Sequence, residues 1–465
     1  MTTTLGDLHL LVFPFPAQGH LIPLLDLAHY LSLRQPRLSL TVVVTPANVP
    51  LLHHFLAATP SASPLVLPIS SPSSLAPGVE HVRLLPSPSS FAALIRALSS
   101  LRPALLSWAR SCPLPPSAII SDFFLGWTHY LAADIGVPRV VFYSSGAFGV
   151  SALDFLWHHM PSASTPSSPV PLDSLPSAPV FPYSHLPAIF RRYIAGESDW
   201  EFARESFLAN SASWGGAINT FDALEGDYLA HLRRSYGHDR IWAVGPIHTT
   251  GAPGNRGGRS SIPAEEVLPW LDSCPPRSVV YICFGSQYVP TSAQGATIAA
   301  ALETSGVRFV WAIGAGVVPE GFVGEKGMVI LGWAPQAAIL RHDAVASFVT
   351  HCGWNSVLEA TAAGVVMLAW PMEAEQFVNA CLLVEGARVA VRVGYGTAEG
   401  MPAAEKLAQA LADSVAEGGE WSEVKLRAAE LRRRAAEAVA EGGSSYRDFE
   451  EFVEQVAELG KKATK

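Results

Sequence analysis

Strand-like and helix-like segments alternate along this chain in two series, and that repetition limits the possible fold more than any single motif does. Leu8 to Phe13 precedes a helix from Ile22, Leu38 to Val44 a helix near Val49, Ala118 to Ser121 a helix near Trp127, and Arg139 to Tyr143 a helix from Ala147. The series restarts with Ser278 to Phe284, Val307 to Ala312, Met328 to Leu331, Ala346 to Thr350 and Val365 to Trp370. Short apolar runs spaced by helices read as strands of a parallel sheet covered on both faces. Between the series, Gly251 to Ser261 has almost nothing to bury and reads as a linker. The expected organisation is an α/β domain over residues 1–246, a linker over 247–262, a second α/β domain over 263–440, and a C-terminal helix and tail over 441–465. Two such domains of roughly 200 residues each suit a chain of 465. Pro161 to Pro187, rich in Pro and Ser, is expected to be a long surface loop. Ser445 and Asp448 form a capping-box pattern for a last helix through Leu459. Ligands of paired α/β domains bind in the cleft outside the carboxyl ends of the strands.

The stretch from Trp333 to Gln376 carries the densest chemistry. Thr350-His351-Cys352-Gly353-Trp354-Asn355-Ser356 reads as the end of a buried strand, a tight turn and the start of a helix. A helix N-terminus offers unpaired N–H groups and a positive dipole end, so small polar residues there can wrap a diphosphate. Trp333, in Trp333-Ala334-Pro335-Gln336, offers a flat face for a base, Glu359 can accept from a ribose diol, and Glu375 with Gln376 can grip sugar hydroxyls. Taken singly, Trp333 reads first as core and Glu359 first as a solvated helix face. In this order they fit a sugar nucleotide.

His20 lies in Pro16-Ala17-Gln18-Gly19-His20-Leu21-Ile22-Pro23, after the first strand, where a doubly wound sheet exposes its working residues. An imidazole there reads either as a general base or as a capping, solvated side chain. Asp122 closes the run from Ala118 and lies at the same sheet edge, either as a carboxylate behind that imidazole or as a cap for the next helix. The pairs His53-His54 and His158-His159 lack such a setting and read as surface residues.

The stretch from Trp333 to Gln376 is similar in length and order to the donor-binding signature of the plant UDP-dependent glycosyltransferases that act on small lipophilic molecules. Gln18-Gly19-His20-Leu21 with Pro23 resembles that family's N-terminal pattern, and the resemblance covers nearly the whole chain. It implies the GT-B fold, two Rossmann-like domains facing across a cleft, and an inverting transfer with His20 as base and Asp122 orienting it. The donor site it implies comprises Gly19, Ser144, Ser286, Trp333, Ala334, Gln336, His351, Trp354, Asn355, Ser356, Glu359, Glu375 and Gln376, with His351 among the groups neutralising the diphosphate. Phe15, Phe124, Phe148 and Trp157 are candidates for an apolar acceptor pocket. The run Phe142 to Phe148 and the ending Trp370 to Gln376 resemble a flavonoid-active branch. Gln376 is the form associated with glucose, and some members of that branch transfer rhamnose, which keeps UDP-rhamnose as an alternative donor. Val366 stands where the family mostly has proline, and Glu375 where aspartate is commoner; the first implies a packing change, and the second leaves the donor open. A catalytically silent binder and a UDP-sugar epimerase are the readings of other kinds.

Composition excludes several classes. The 40 acidic residues outnumber 31 Lys and Arg and no basic stripe is present, so no nucleic-acid partner is expected. No Gly-x-Gly-x-x-Gly follows the first strand, and no Asp-x-Asp or His-Glu-x-x-His occurs, so neither a nicotinamide cofactor nor a metal is expected. A UDP-sugar as co-substrate with a small lipophilic acceptor is. Five scattered cysteines suit a reducing compartment and buried free thiols, with Cys352 an apolar filler. The apolar stretch from Leu8 is broken by Pro14, Pro16, Gln18 and His20, and no run reaches about 18 apolar residues, so a cytoplasmic monomer without signal peptide or membrane span is expected.

Overall fold

The computed structural model describes residues 8–70, 72, 74–247, 260–397 and 400–463. The expected linker residues Gly251 to Arg259 lie outside them. Described residues within Met1–Ser184, Ile189–Thr249 and Ala438–Lys465 cluster into one unit, and those within His185–Ala188 and Thr250–Glu437 into another.

The first unit is built on strands β1 (Leu8–Phe13), β2 (Leu38–Val44), β3 (Ala62–Val66), β4 (Ala118–Asp122) and β5 (Arg139–Tyr143). A short antiparallel ribbon of β6 (Pro169–Pro171) and β7 (Val180–Pro182) intervenes before β8 (Gly215–Ile218) and β9 (Ile241–Ala243) complete the sheet. Its order is β3-β2-β1-β4-β5-β8-β9 and every pairing is parallel. β1, β4 and β5 are buried along their whole length, as strands covered on both faces must be. The second unit holds β10 (Val279–Cys283), β11 (Arg308–Gly314), β12 (Gly327–Leu331), β13 (Val345–Thr350), β14 (Val366–Ala369) and β15 (Ala390–Arg392), in the order β12-β11-β10-β13-β14-β15, also all parallel. In each sheet the strand order reverses between two neighbours, β1 and β4 in the first and β10 and β13 in the second. The chain leaves each neighbour in opposite directions, opening a crevice at their carboxyl ends.

Several expectations need correction. The first helix spans Gln18–Arg34 and starts four residues before Ile22, with Pro23 accommodated inside it. His20 is therefore on its first turn rather than in a preceding loop. The segment from Pro161 to Pro187 is not one irregular loop, because β6 and β7 pair within it. The last helix spans Ser444–Ala463, so Ser445 is inside it, and the buried Ser445 hydroxyl has no hydrogen-bond partner among the described residues. Asp448 instead accepts from the Ala243 backbone N–H at 2.8 Å and from Arg233 at 3.1 Å. Phe452, Val453 and Val456 of that helix join the core of the first sheet, with Phe452 5.0 Å from Trp242. All five cysteines are free thiols, but only Cys352 is buried. Val366 is a buried residue of β14 paired with Ser347. No helix among the described residues is long and apolar enough to cross a membrane.

Candidate active site

In the first unit the crevice between β1 and β4 brings His20 and Asp122 together across 102 residues of sequence: His20 Nδ1 lies 2.9 Å from Asp122 Oδ2. Asp122 is completely buried at the end of β4, whereas the His20 side chain keeps 16% of its exposure. The second carboxylate oxygen of Asp122 accepts the Phe124 backbone N–H at 2.9 Å. One oxygen of Asp122 thus caps the turn that follows β4 and the other contacts the imidazole. A carboxylate cannot donate, so Nδ1 carries the shared proton and the Nε2 lone pair is left as the basic position. Ser144 Oγ approaches the same Nδ1 at 3.0 Å, which places Ser144 on the imidazole within this unit.

Aromatic rings fix the plane of His20. Phe124 stacks on it at 4.6 Å and Phe123 at 5.4 Å, while Phe15 meets it edge-on at 5.6 Å. Of the acceptor-pocket candidates, Phe15 and Phe124 therefore surround His20. Trp157 is buried and stacks on Phe207 at 5.1 Å, lining a small cavity with Phe123 and Tyr143. Phe148 is a core ring whose aromatic partners are Phe181 and Tyr228. Sequence reasoning missed Phe123 and Phe207; adjacency of Phe123 to Asp122 was the available signal, while Phe207 had none.

In the second unit the crevice lies between β10 and β13. Thr350 ends β13, Cys352 takes a left-handed conformation with φ 63°, and Gly353 precedes the helix Trp354–Ala363. Left-handed backbone is costly for cysteine, and both sides of it are tied: its N–H donates to Thr350 Oγ1 at 3.1 Å and its carbonyl accepts from Asn379 Nδ2 at 2.9 Å. Asn355 and Ser356 are the second and third residues of that helix. His351 packs between two glycines, since a Cβ on Gly285 would lie 2.5 Å, and one on Gly353 2.4 Å, from its Nε2. Its Nδ1 is buried without a hydrogen-bond partner among the described residues, and burial holds its pKa down at about 4. The ring is therefore neutral at pH 7 and keeps one N–H to donate.

Gln336 organises the rest. Its amide nitrogen donates to Ser356 Oγ and to Glu359 Oε2, both at 2.8 Å, and its oxygen accepts from the Tyr281 hydroxyl at 3.3 Å. Trp333 is half-buried beyond the left-handed Gly332, Ala334 is buried, and Ser286 follows Gly285 on the turn after β10. Trp354 is buried at the first position of the helix. The amide oxygen of Gln376 accepts the backbone N–H groups of Met372 at 2.9 Å and Glu373 at 2.8 Å. Two donors on one atom identify it as the oxygen, so the acceptor side of the Gln376 amide is taken up by its own loop. Glu375 lies 3.4 Å from Asn379 Nδ2. Among the described residues no group of three or more His, Cys, Asp or Glu side chains is placed to hold a metal.

The profile of the family described as UDP-glucoronosyl and UDP-glucosyl transferase matches residues 261–414. A flavonol 3-O-glucosyltransferase of Arabidopsis thaliana is 45% identical, with 97% of each chain covered. A flavonol 7-O-rhamnosyltransferase of the same plant is 36% identical over 98% of this chain and 99% of the relative. Among solved structures, Arabidopsis thaliana UGT89C1 complexed with UDP-L-rhamnose matches with a TM-score of 0.81 at 36% identity, covering 98% of this chain and 100% of that one. Identity of this extent over full length, together with two doubly wound units, places the chain in the plant UDP-dependent glycosyltransferases, enzymes of GT-B fold that take a sugar from a UDP-sugar co-substrate.

Proposed function

We propose that this glycosyltransferase moves glucose from UDP-glucose to a hydroxyl of a flavonol or related phenolic, with inversion at the anomeric carbon. His20 Nε2 takes the proton of the acceptor hydroxyl as its oxygen attacks, and the buried Asp122 carboxylate stabilises the imidazolium without receiving the proton. The C–O bond to the diphosphate breaks as the new one forms, so an α-linked donor yields a β-glucoside and UDP. The helix from Trp354, with Asn355, Ser356 and the His351 N–H, holds the diphosphate; Trp333 takes the base, Glu359 the ribose, and Glu375 and Gln376 the sugar. Phe124, partly exposed where it stacks on His20, supplies flat apolar surface for a phenolic ring, with the buried Phe15 packed edge-on behind it. The observation that carries this reading is the 2.9 Å contact of a partly exposed imidazole with a fully buried carboxylate.

A second donor has support of its own. One relative is named for rhamnosyl transfer, and a matching structure holds UDP-L-rhamnose, so UDP-rhamnose is the alternative. A competition assay with equal UDP-glucose and UDP-rhamnose and a flavonol acceptor decides between them by the mass of the product. Predominant rhamnoside overturns the glucose assignment; UDP binding without product from any acceptor overturns catalysis altogether.

A further inference from the structure

Behind the His20–Asp122 pair lies a buried cation that the reaction scheme above does not use. Arg139, the first residue of β5, is 1% exposed. Burying a guanidinium is costly unless every donor is met. Here the acceptors are all neutral: Nε donates to Ser121 Oγ at 2.8 Å, Nη1 to Asn210 Oδ1 and Ser213 Oγ at 2.9 Å each, and Nη2 to the Asp122 carbonyl at 3.3 Å. Among the described residues no carboxylate forms an ion pair with it.

The acceptors are not scattered. Ser121, Asp122 and Phe123 are consecutive, and Asn210, which Arg139 holds by its oxygen, donates from Nδ2 to the Phe123 carbonyl at 2.8 Å. Ser121 Oγ lies 2.7 Å from Thr128 Oγ1, which donates to the Leu125 carbonyl at 2.6 Å, so the same network reaches the end of the turn. This turn carries the carboxylate that contacts His20 and the two rings that stack on it. A neutral side chain could have tied it. What only a cation adds is a positive field on the far side of Asp122.

We infer that Arg139 is a positioning residue for the transfer reaction: its fork fixes the turn bearing Asp122, and its buried charge lies behind the Asp122–His20 pair. The inference rests on the proposed roles of His20 and Asp122. The titratable groups around Arg139 are Asp122 on β4, Tyr143 on its own strand and His129 on the helix Thr128–Ile135, while the segment from Asn210 to Ser213 presents neutral acceptors only. Removing the charge lets the imidazole hold a proton to higher pH.

The test uses full-length protein, UDP-glucose or UDP-rhamnose, whichever turns over faster, and the flavonol quercetin. Arg139→Gln is expected to lower kcat by ~10- to 100-fold, to leave the UDP dissociation constant unchanged, and to move the acid limb of kcat/KM upward by about one pH unit. Arg139→Lys keeps the charge and loses the fork, so its kcat falls while the acid limb stays. Should Arg139→Gln not fold, Asn210→Asp neutralises the cation in place and must move the limb in the same direction. A folded charge-neutral variant with the wild-type limb, beside an inactive His20→Ala, overturns the role of Arg139 alone. An active His20→Ala overturns the pair and the role together.

Discussion

The imidazole of His351 leaves no room for a side chain on Gly285: a Cβ there would sit 2.5 Å from Nε2, and the backbone at Gly285 has φ 78°. The turn after β10 and the turn after β13 are thereby locked against each other. Gly285→Ala must either move the ring or unwind the turn, on top of about 1–2 kcal/mol for a left-handed alanine. The expected result is a folded second unit with UDP affinity weakened by ~10-fold or more, measured by titration calorimetry. An alanine variant binding UDP like wild type would show that the glycine is merely tolerated there.

The buried His351 also makes acid stability readable. Its pKa is held at about 4 by burial, against about 6.5 in the unfolded chain, so the folded state refuses a proton that the unfolded state takes. Stability contributed this way is complete above pH 6.5 and is lost as pH falls towards 4. The full gap corresponds to about 3 kcal/mol, a figure that solvent at the exposed edge of the ring reduces. His81, likewise held down at about 4 by burial, acts in the same direction. Comparing His351→Gln with wild type cancels that second contribution. Urea midpoints between pH 4 and 7 should fall less steeply in the variant; equal slopes would mean that His351 is protonated without penalty.

His20→Ala should lower kcat by roughly two to four orders of magnitude on an unactivated hydroxyl, with UDP affinity unchanged. Asp122→Asn should cost less but still substantially, because the amide can fill the space and keep the bond to the Phe124 N–H through its oxygen, yet cannot stabilise the imidazolium. Rates on an alkyl alcohol and on a more acidic phenol separate the effects: the loss should shrink on the phenol, which needs less help from a base. Equal losses on both acceptors would point to a packing defect instead.

Much of this architecture is legible in sequence because its central strands are short, apolar and punctuated. β5 was readable end to end between Pro138 and Ser144, and β4 to within one residue. Once two such strands are neighbours, a histidine after one and an aspartate ending the other must converge. The outer strands of the first sheet were not legible. β3 reads Ala-Ser-Pro-Leu-Val and is largely exposed, and β8 begins with two glycines whose purpose lies in the partner, since a Cβ on Gly215 would meet the Trp242 ring at 2.7 Å. The return of the last helix to the first sheet through Asp448 and Phe452 is a tertiary choice that no local pattern encodes. In the site itself, residue types pointed to the ligands but not to which atom of each is already in use.

Gln376 shows how much that last point matters. From its chemistry alone an amide both donates and accepts, and a pair of vicinal hydroxyls could take either. In the folded protein its oxygen is held by Met372 and Glu373, beside Ala374 with its left-handed φ of 53°, so the side chain shapes its own loop and keeps only its NH2 as a donor. Gln376→Glu preserves both loop bonds and removes that donor. It should keep UDP affinity and the wild-type melting temperature while kcat/KM for the preferred UDP-sugar falls by a factor corresponding to about 1–3 kcal/mol. Gln376→His has a single acceptor nitrogen for two backbone N–H groups and should disturb the loop, lowering kcat/KM for UDP-glucose, UDP-galactose and UDP-rhamnose alike. Measuring the three donors on both variants separates the two functions of the residue. If the glutamate variant transfers sugar as well as wild type, the NH2 makes no productive contact, and recognition of the sugar must fall to Glu375 and the backbone of the loop.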